Sequence, residues 1–196
     1  MSRARAYGDA GQAFPIYITV VGGLLLLAFA YFAVGQAAAN RNGAQTAADA
    51  AALAAALDTR DQLAAEWLKD VRDPQKWQAI FDGNVAVSPS CWRAYQLAEQ
   101  NDAQAECAPT GLLRYRVDVK TNKPVGDSVI PGTENQYAHA TAEAVIEPLC
   151  TFDLTGGGAA DKVLPRLACD KDWDVDPDDP TTLPEPKDLF DVHLVD

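Results

Sequence analysis

Aspartate recurs at every second position through Asp170, Asp172, Asp174, Asp176 and Asp178. Such a density of carboxylates would suit a hard cation that takes oxygen ligands. A calcium loop of the EF-hand type needs glycine at its sixth position for the turn and a bidentate glutamate at its twelfth. Counted from Asp170, those places hold Val175 and Thr181; counted from Asp172, they hold Pro177 and Leu183. The run therefore reads as a solvated acidic segment. The only histidines are His139 and His193, and no GxSxG elbow accompanies them to present a nucleophile. Gly156-Gly157-Gly158 lacks the lysine and hydroxyl residue of a phosphate loop and reads as a turn. These groups do not converge on a site. No enzyme activity, cofactor, metal site or small-molecule substrate is expected.

The four cysteines, Cys91, Cys107, Cys150 and Cys169, carry a different chemistry. No CxxC or Cys/His pair of the zinc type is present. An even number of well-spaced thiols suits two disulfides in an oxidising compartment. Four cysteines allow three pairings. Sequential pairing, Cys91 with Cys107 and Cys150 with Cys169, is expected because each bond then closes a local stretch.

An oxidising compartment requires a way out of the cytoplasm, and one segment supplies it. From Ala13 to Ala39 the sequence AFPIYITVVGGLLLLAFAYFAVGQAAA carries no charge. At about 1.5 Å per residue, roughly 20 apolar residues cross a hydrocarbon layer of about 30 Å. No polar stripe marks it as the surface helix of a soluble protein. It is also longer than the apolar region of a cleaved signal peptide, usually about 7–15 residues. Arg3 and Arg5 precede the span and Arg41 alone closely follows it. The positive-inside rule then places the N-terminus in the cytoplasm and the remainder outside. The expected localisation is a bacterial cell membrane, single-pass. The net charge of −12 excludes phosphate-backbone binding to nucleic acid and disfavours peripheral docking on anionic lipid.

After the span, alanine dominates from Gln36 to Val71, with Leu53, Leu57, Ala64, Trp67 and Leu68 near one face. Alanine and leucine are strong helix formers, so one helix is expected from about Phe14 to Arg72, weakest at Asn40-Arg41-Asn42-Gly43. Asp73-Pro74 supplies the stop and a new helix start. A ladder of small residues at four-residue spacing, Gly35, Ala39, Gly43, Ala47, Ala51 and Ala55, suits close helix packing. It drifts about 40° per step from the helical period.

Beyond Pro74 short helices are expected over 75–81 and 92–100, with Trp77, Ile80, Phe81, Trp92, Tyr95 and Leu97 inward. The period-two pattern of Leu113 to Thr121 reads as a strand and Tyr137 to Glu147 as its partner, with Asn122-Lys123-Pro124 and Pro131-Gly132 punctuating the connection. Val85–Val87 and Phe152–Leu154 are candidate short strands. The fold class is α+β: a leader (1–12), a membrane helix (13–39), an Ala-rich helix outside (40–73) and a small disulfide-bearing head (74–169). An acidic, Pro-rich, mostly irregular tail follows (170–196), whose last residues are a candidate strand.

Gly11-Gln12-Ala13, the apolar helix, and the run Gln45-Thr46-Ala47-Ala48-Asp49-Ala50-Ala51-Ala52-Leu53-Ala54 together resemble the TadE/TadG-like pilus-assembly proteins of tight-adherence (Flp) pili. The resemblance covers about residues 8–57. It implies a pilin- or pseudopilin-like lollipop: a long membrane-anchored helix carrying a small head, whose partners are the bilayer and other pilus-assembly or pilin-like subunits. The positions it marks for helix packing are Gly11, Gln12, Gly35, Ala39, Gly43, Gln45, Ala48, Asp49 and Leu53, with Gln45 and Asp49 one turn apart. Processed type IV pilins carry glutamate five residues after their cleavage site; counted from Gly11, that place holds Ile16. A membrane-resident TadG-like role therefore fits better than that of a major pilin. The competing reading is a membrane-anchored extracytoplasmic binding or sensing domain unrelated to pili.

Overall fold

A computed structural model describes residues 13–124, 135–154 and 164–195. The leader, Pro131-Gly132 and Gly156–Gly158 lie outside the described residues. The alanine-rich sequence forms one helix, α1 (Ala13–Lys69), unbroken through Asn40–Gly43. Proline stands within its first turn, where an amide hydrogen would have no helical acceptor. The chain leaves α1 through a 3₁₀ turn at Pro74–Lys76, with Asp73 before the proline, and enters α2 (Trp77–Phe81). Helix α3 (Cys91–Gln100) then leads into β1 (Ala103–Gly111), β2 (Arg114–Thr121) and β3 (His139–Pro148).

The main sheet is antiparallel in the order β1-β2-β3-β6, where β6 is Phe190–Val195. Alternation along β2 sends Tyr115, Val117 and Val119 inward, while Arg114, Arg116, Asp118 and Lys120 stay exposed. Ala142, Ala144 and Ile146 of β3 add to the same core. The upper part of α1 packs on β2, β3 and β6 and on α3. The head is thus built around that part of the helix and does not stand apart from it. A two-stranded ribbon, β4 (Leu167–Ala168) with β5 (Asp172–Trp173), and α4 (Pro186–Leu189) complete the head.

At the distal end, rings stack in sequence. Trp67 meets Trp77 at 5.3 Å between centroids, Trp77 meets Phe152 at 5.3 Å, and Phe81 meets Phe152 at 5.9 Å and Phe190 at 5.4 Å. Both disulfides follow the sequential pairing, Cys91–Cys107 joining α3 to β1 and Cys150–Cys169 joining the end of β3 to the β4–β5 ribbon.

Several expectations need correction. The acidic tail is less irregular than expected: besides the candidate strand at its end, which forms as β6, Asp172–Trp173 pair as β5 and Pro186–Leu189 form α4. Val85–Val87 form no strand: beside them the Ser88 amide donates 2.7 Å to Gln62 Oε1 of α1, so this backbone is satisfied by a side chain. Phe152–Leu154 form no strand either. Phe152 is drawn into the ring cluster, and only Thr151 bridges to Ala168. Trp92 and Tyr95 are exposed and Leu97 half-buried, because α3 turns Ala94 and Ala98 inward. Alanines let two helix backbones approach more closely than rings would permit. Leu57 and Leu68 of α1 are likewise exposed. Strand β1 was not expected; its Ala, Pro and Gly content is poor strand material. It forms as an edge strand, where Pro109 is tolerated.

Candidate functional site

The functional geometry lies along α1, which is two helices in character. Between Phe14 and Val34 no residue is buried, and Phe14, Leu24, Leu26, Tyr31 and Val34 are each more than 60% exposed. An exposed apolar surface of this extent needs a nonpolar solvent or partner. The segment is one helix long and apolar enough to cross a membrane. The Thr19 hydroxyl donates 2.8 Å to the Pro15 carbonyl, so this polar group is satisfied within the helix as lipid requires.

From Ala44 upward the character reverses. Ala44, Ala47, Ala48, Ala51, Ala52, Ala55 and Ala56 are all fully buried, two per turn, against the head. Gln45 Nε2 donates 2.8 Å to Asp49 Oδ1 and 3.4 Å to the Thr141 carbonyl of β3. Leu53 is half-buried against the core. The alanines are therefore engaged inside the chain, while Gln45 stays exposed and Asp49 half-buried at their edge.

The small-residue ladder divides at the same point. Ala47, Ala51 and Ala55 are buried in the head, whereas Gly35, Ala39 and Gly43 are exposed. A Cβ added at Gly35 or Gly43 would meet nothing within 4 Å. The drift of about 40° per rung explains how one sequence stripe faces two surroundings. Gly11 and Gln12 lie outside the described residues.

Two features gave no sequence signal because their members are far apart in the chain. Asn40 Nδ2 donates 3.5 Å to the Pro124 carbonyl, tying the connection after β2 to the foot of the head. Buried Thr59 joins Ser90 Oγ at 2.7 Å and the Tyr115 hydroxyl at 2.8 Å, and Gln62 Nε2 reaches Ser90 Oγ at 3.2 Å. This network locks α1, the start of α3 and β2 together. Trp67 Nε1 is buried with no hydrogen-bond partner among the described residues.

Titratable groups form surface pairs. His139 is exposed, and His193 Nδ1 lies 2.9 Å from Asp191 Oδ2. In the acidic run, Asp174 holds the Arg166 guanidinium above its usual value, by its hydrogen bond first and its charge second. Arg72 pairs with Asp178 across the top of α1. Among the described residues no three His, Cys, Asp or Glu side chains are grouped to hold a metal.

The buried alanine face, bordered by the Gln45–Asp49 pair and continuous with a lipid-length apolar helix, is the feature that a family comparison addresses. Residues 11–58 match the Tad family of TadE/G-like Flp pilus-assembly domains. The matched region spans the apolar segment and the buried alanines from Ala44 to Ala56. The head beyond residue 58 lies outside the match. No curated protein and no solved structure matches the chain.

Proposed function

We propose that the chain is a non-enzymatic, membrane-anchored component of a Tad/Flp-type pilus or a related secretion apparatus. It acts in assembly or anchoring through packing of its N-terminal helix and through an extracytoplasmic head. The observation that carries this reading is the division of α1. Its TadE/G-like segment begins as a fully exposed apolar helix and ends as the buried spine of a disulfide-bonded head. Positive charge before the span and disulfides after it favour a cytoplasmic N-terminus and a head outside.

With the upper rungs occupied by the chain's own head, subunit contacts fall to the lower rungs, Gly35, Ala39 and Gly43, whose surface is open. Small residues there permit close approach of a neighbouring helix within or just above the bilayer. Photo-crosslinkers placed at these three positions in native membranes test the reading. Adducts with other pilus-assembly subunits are expected. Adducts with lipid alone, or loss of the chain without effect on pilus assembly, would overturn it. The sensing-domain alternative would need an enclosed ligand pocket; the groove lined by Tyr95, Glu99, Ala103, Gln104, Ala105 and Asn122 is open to solvent and does not favour it.

A further inference from the structure

The main sheet has an open edge at β1, and only part of that edge is protected. Among the described residues β1 has one strand neighbour, β2. The Asn122 amide donates 2.7 Å to the Asp102 carbonyl, and the register continues with Ala103 opposite Thr121 and Gln104 opposite Lys120. Hydrogen-bonded and non-hydrogen-bonded pairs alternate along an antiparallel ladder. Gln104 and Glu106 therefore bond to β2, whereas Ala103, Ala105 and Cys107 turn their N–H and C=O groups outward. Among the described residues no hydrogen bond engages those of Ala105 or Cys107 on the outer side. Proteins blunt such edges with proline, lysine or a bulge. Here the devices sit at the Gly111 end: Pro109, which has no N–H, and the register shift between Pro109 and Gly111. The stretch Ala103-Gln104-Ala105-Glu106-Cys107 carries none of them.

A groove open to solvent accompanies this unprotected stretch. It is lined by Tyr95 and Glu99 from α3 and by Ala103, Gln104 and Ala105 from β1. The Cys91–Cys107 bond ties helix to strand at one end, and the turn through Asp102, at φ of 54°, ties them at the other. The groove is thus held in shape before anything enters it. Its α3 wall is partly apolar: Tyr95 is 49% exposed, and Trp92, one turn earlier on the same helix, is 54% exposed. A small solute would meet only a ring and a few polar groups there. Outward donors and acceptors that recur at every second residue along one line are matched by another strand. A free sheet edge beside a helix is a geometry in which an extended peptide adds as a strand, main-chain bonds giving affinity and alternate side chains giving selectivity.

We propose that β1 binds an extended segment of a partner polypeptide, paired along Ala103–Cys107, with an apolar side chain laid against Tyr95 and Trp92. Pairing adds a strand to the sheet and stops at Pro109. The inference stands on the head alone and does not depend on the pilus reading or on α1 spanning a membrane. The probes are fluorescent heptapeptides of alternating threonine and valine, with alanine, leucine or phenylalanine at the centre. They are titrated by anisotropy against the full chain in mild detergent. The leucine or phenylalanine peptide is expected to bind more tightly than about 1 mM. N-methylation of one alternate set of its amides should weaken binding at least about tenfold, and methylation of the other set should not. Ala105→Pro removes an outward N–H where an edge strand tolerates proline, so its melt should hold while affinity falls at least about tenfold. If that variant unfolds, the methylated peptides on the wild-type chain decide alone. Equal affinities of the two methylated sets, or wild-type affinity in folded Ala105→Pro, would overturn the proposal. So would failure of every peptide to bind, or self-association abolished by Ala105→Pro, which would assign the edge to a second copy.

Discussion

Ala51→Leu and Gly35→Leu place the same large side chain on the same four-residue ladder of α1, yet their surroundings differ. Ala51 is fully buried within a row of alanines against the head, so three added carbons have no room. Overpacking of a close-packed interior costs about 1–3 kcal/mol. A head of this size loses roughly 2–4 °C of melting temperature per kcal/mol, so Ala51→Leu is expected to lower it by about 2–12 °C. At Gly35 an added Cβ meets nothing within 4 Å, and helix propensity rises by nearly 1 kcal/mol, so the head's melting temperature should not fall. The positions lie about 24 Å apart along the helix, so the double variant should show the sum of the two effects. Near-UV circular dichroism of purified protein in mild detergent reports the melt, since Trp67 and Trp77 are buried and stacked in the head. A melt of Ala51→Leu equal to the wild type, or an equal loss from Gly35→Leu, would refute the division of the helix into a packed upper half and an open lower half.

Gly83 has φ of 70°, and a Cβ there would stand 2.7 Å from Leu113 Cδ2, so Gly83→Ala should lose at least about 1–2 kcal/mol in urea unfolding. Removing the Cys150–Cys169 bond as a double alanine variant should lower stability by about 3 kcal/mol, the scale for a loop of this length. Mass mapping of the unreduced wild type should find no alkylatable thiol. Thr59→Val strands the Tyr115 hydroxyl in the core and takes one partner from Ser90, which keeps Gln62, and should cost about 1–3 kcal/mol. Adding Tyr115→Phe should then cost less than it does alone, because their shared hydrogen bond is already lost, and strict additivity in a double-mutant cycle would contradict the network.

Sequence periodicity was most informative where one force dominated. The uninterrupted apolar run defined the span, alanine content defined the helix, and the alternation from Leu113 to Thr121 defined β2 and pointed to its neighbour β3. It was least informative where packing depended on a distant partner. Strand β1 lacks β-forming residues and exists because β2 pairs with it and Cys91 holds Cys107. Trp92 and Tyr95 were expected inside on the rule that large rings are buried, but the contact with α1 is made by the small residues of α3. The tail's last residues were legible as a candidate strand, but not its partner: Phe190 packs against Phe81 and β6 pairs with the free edge of β3. For the candidate site, the Gln45–Asp49 spacing was visible, but its acceptor, the Thr141 carbonyl, lies 96 residues away. Local spacing gives no access to such a contact.

The account depends on Phe14–Val34 being solvated by lipid. Alkaline carbonate extraction of membranes from cells expressing the full chain, with a Leu26→Arg variant alongside, tests this directly. The wild-type chain should stay entirely in the membrane pellet, and the arginine, at an insertion cost of about 2.5–3.5 kcal/mol, should deplete it there. Release of the wild-type chain into the supernatant, or identical retention of the two proteins, would contradict the claim.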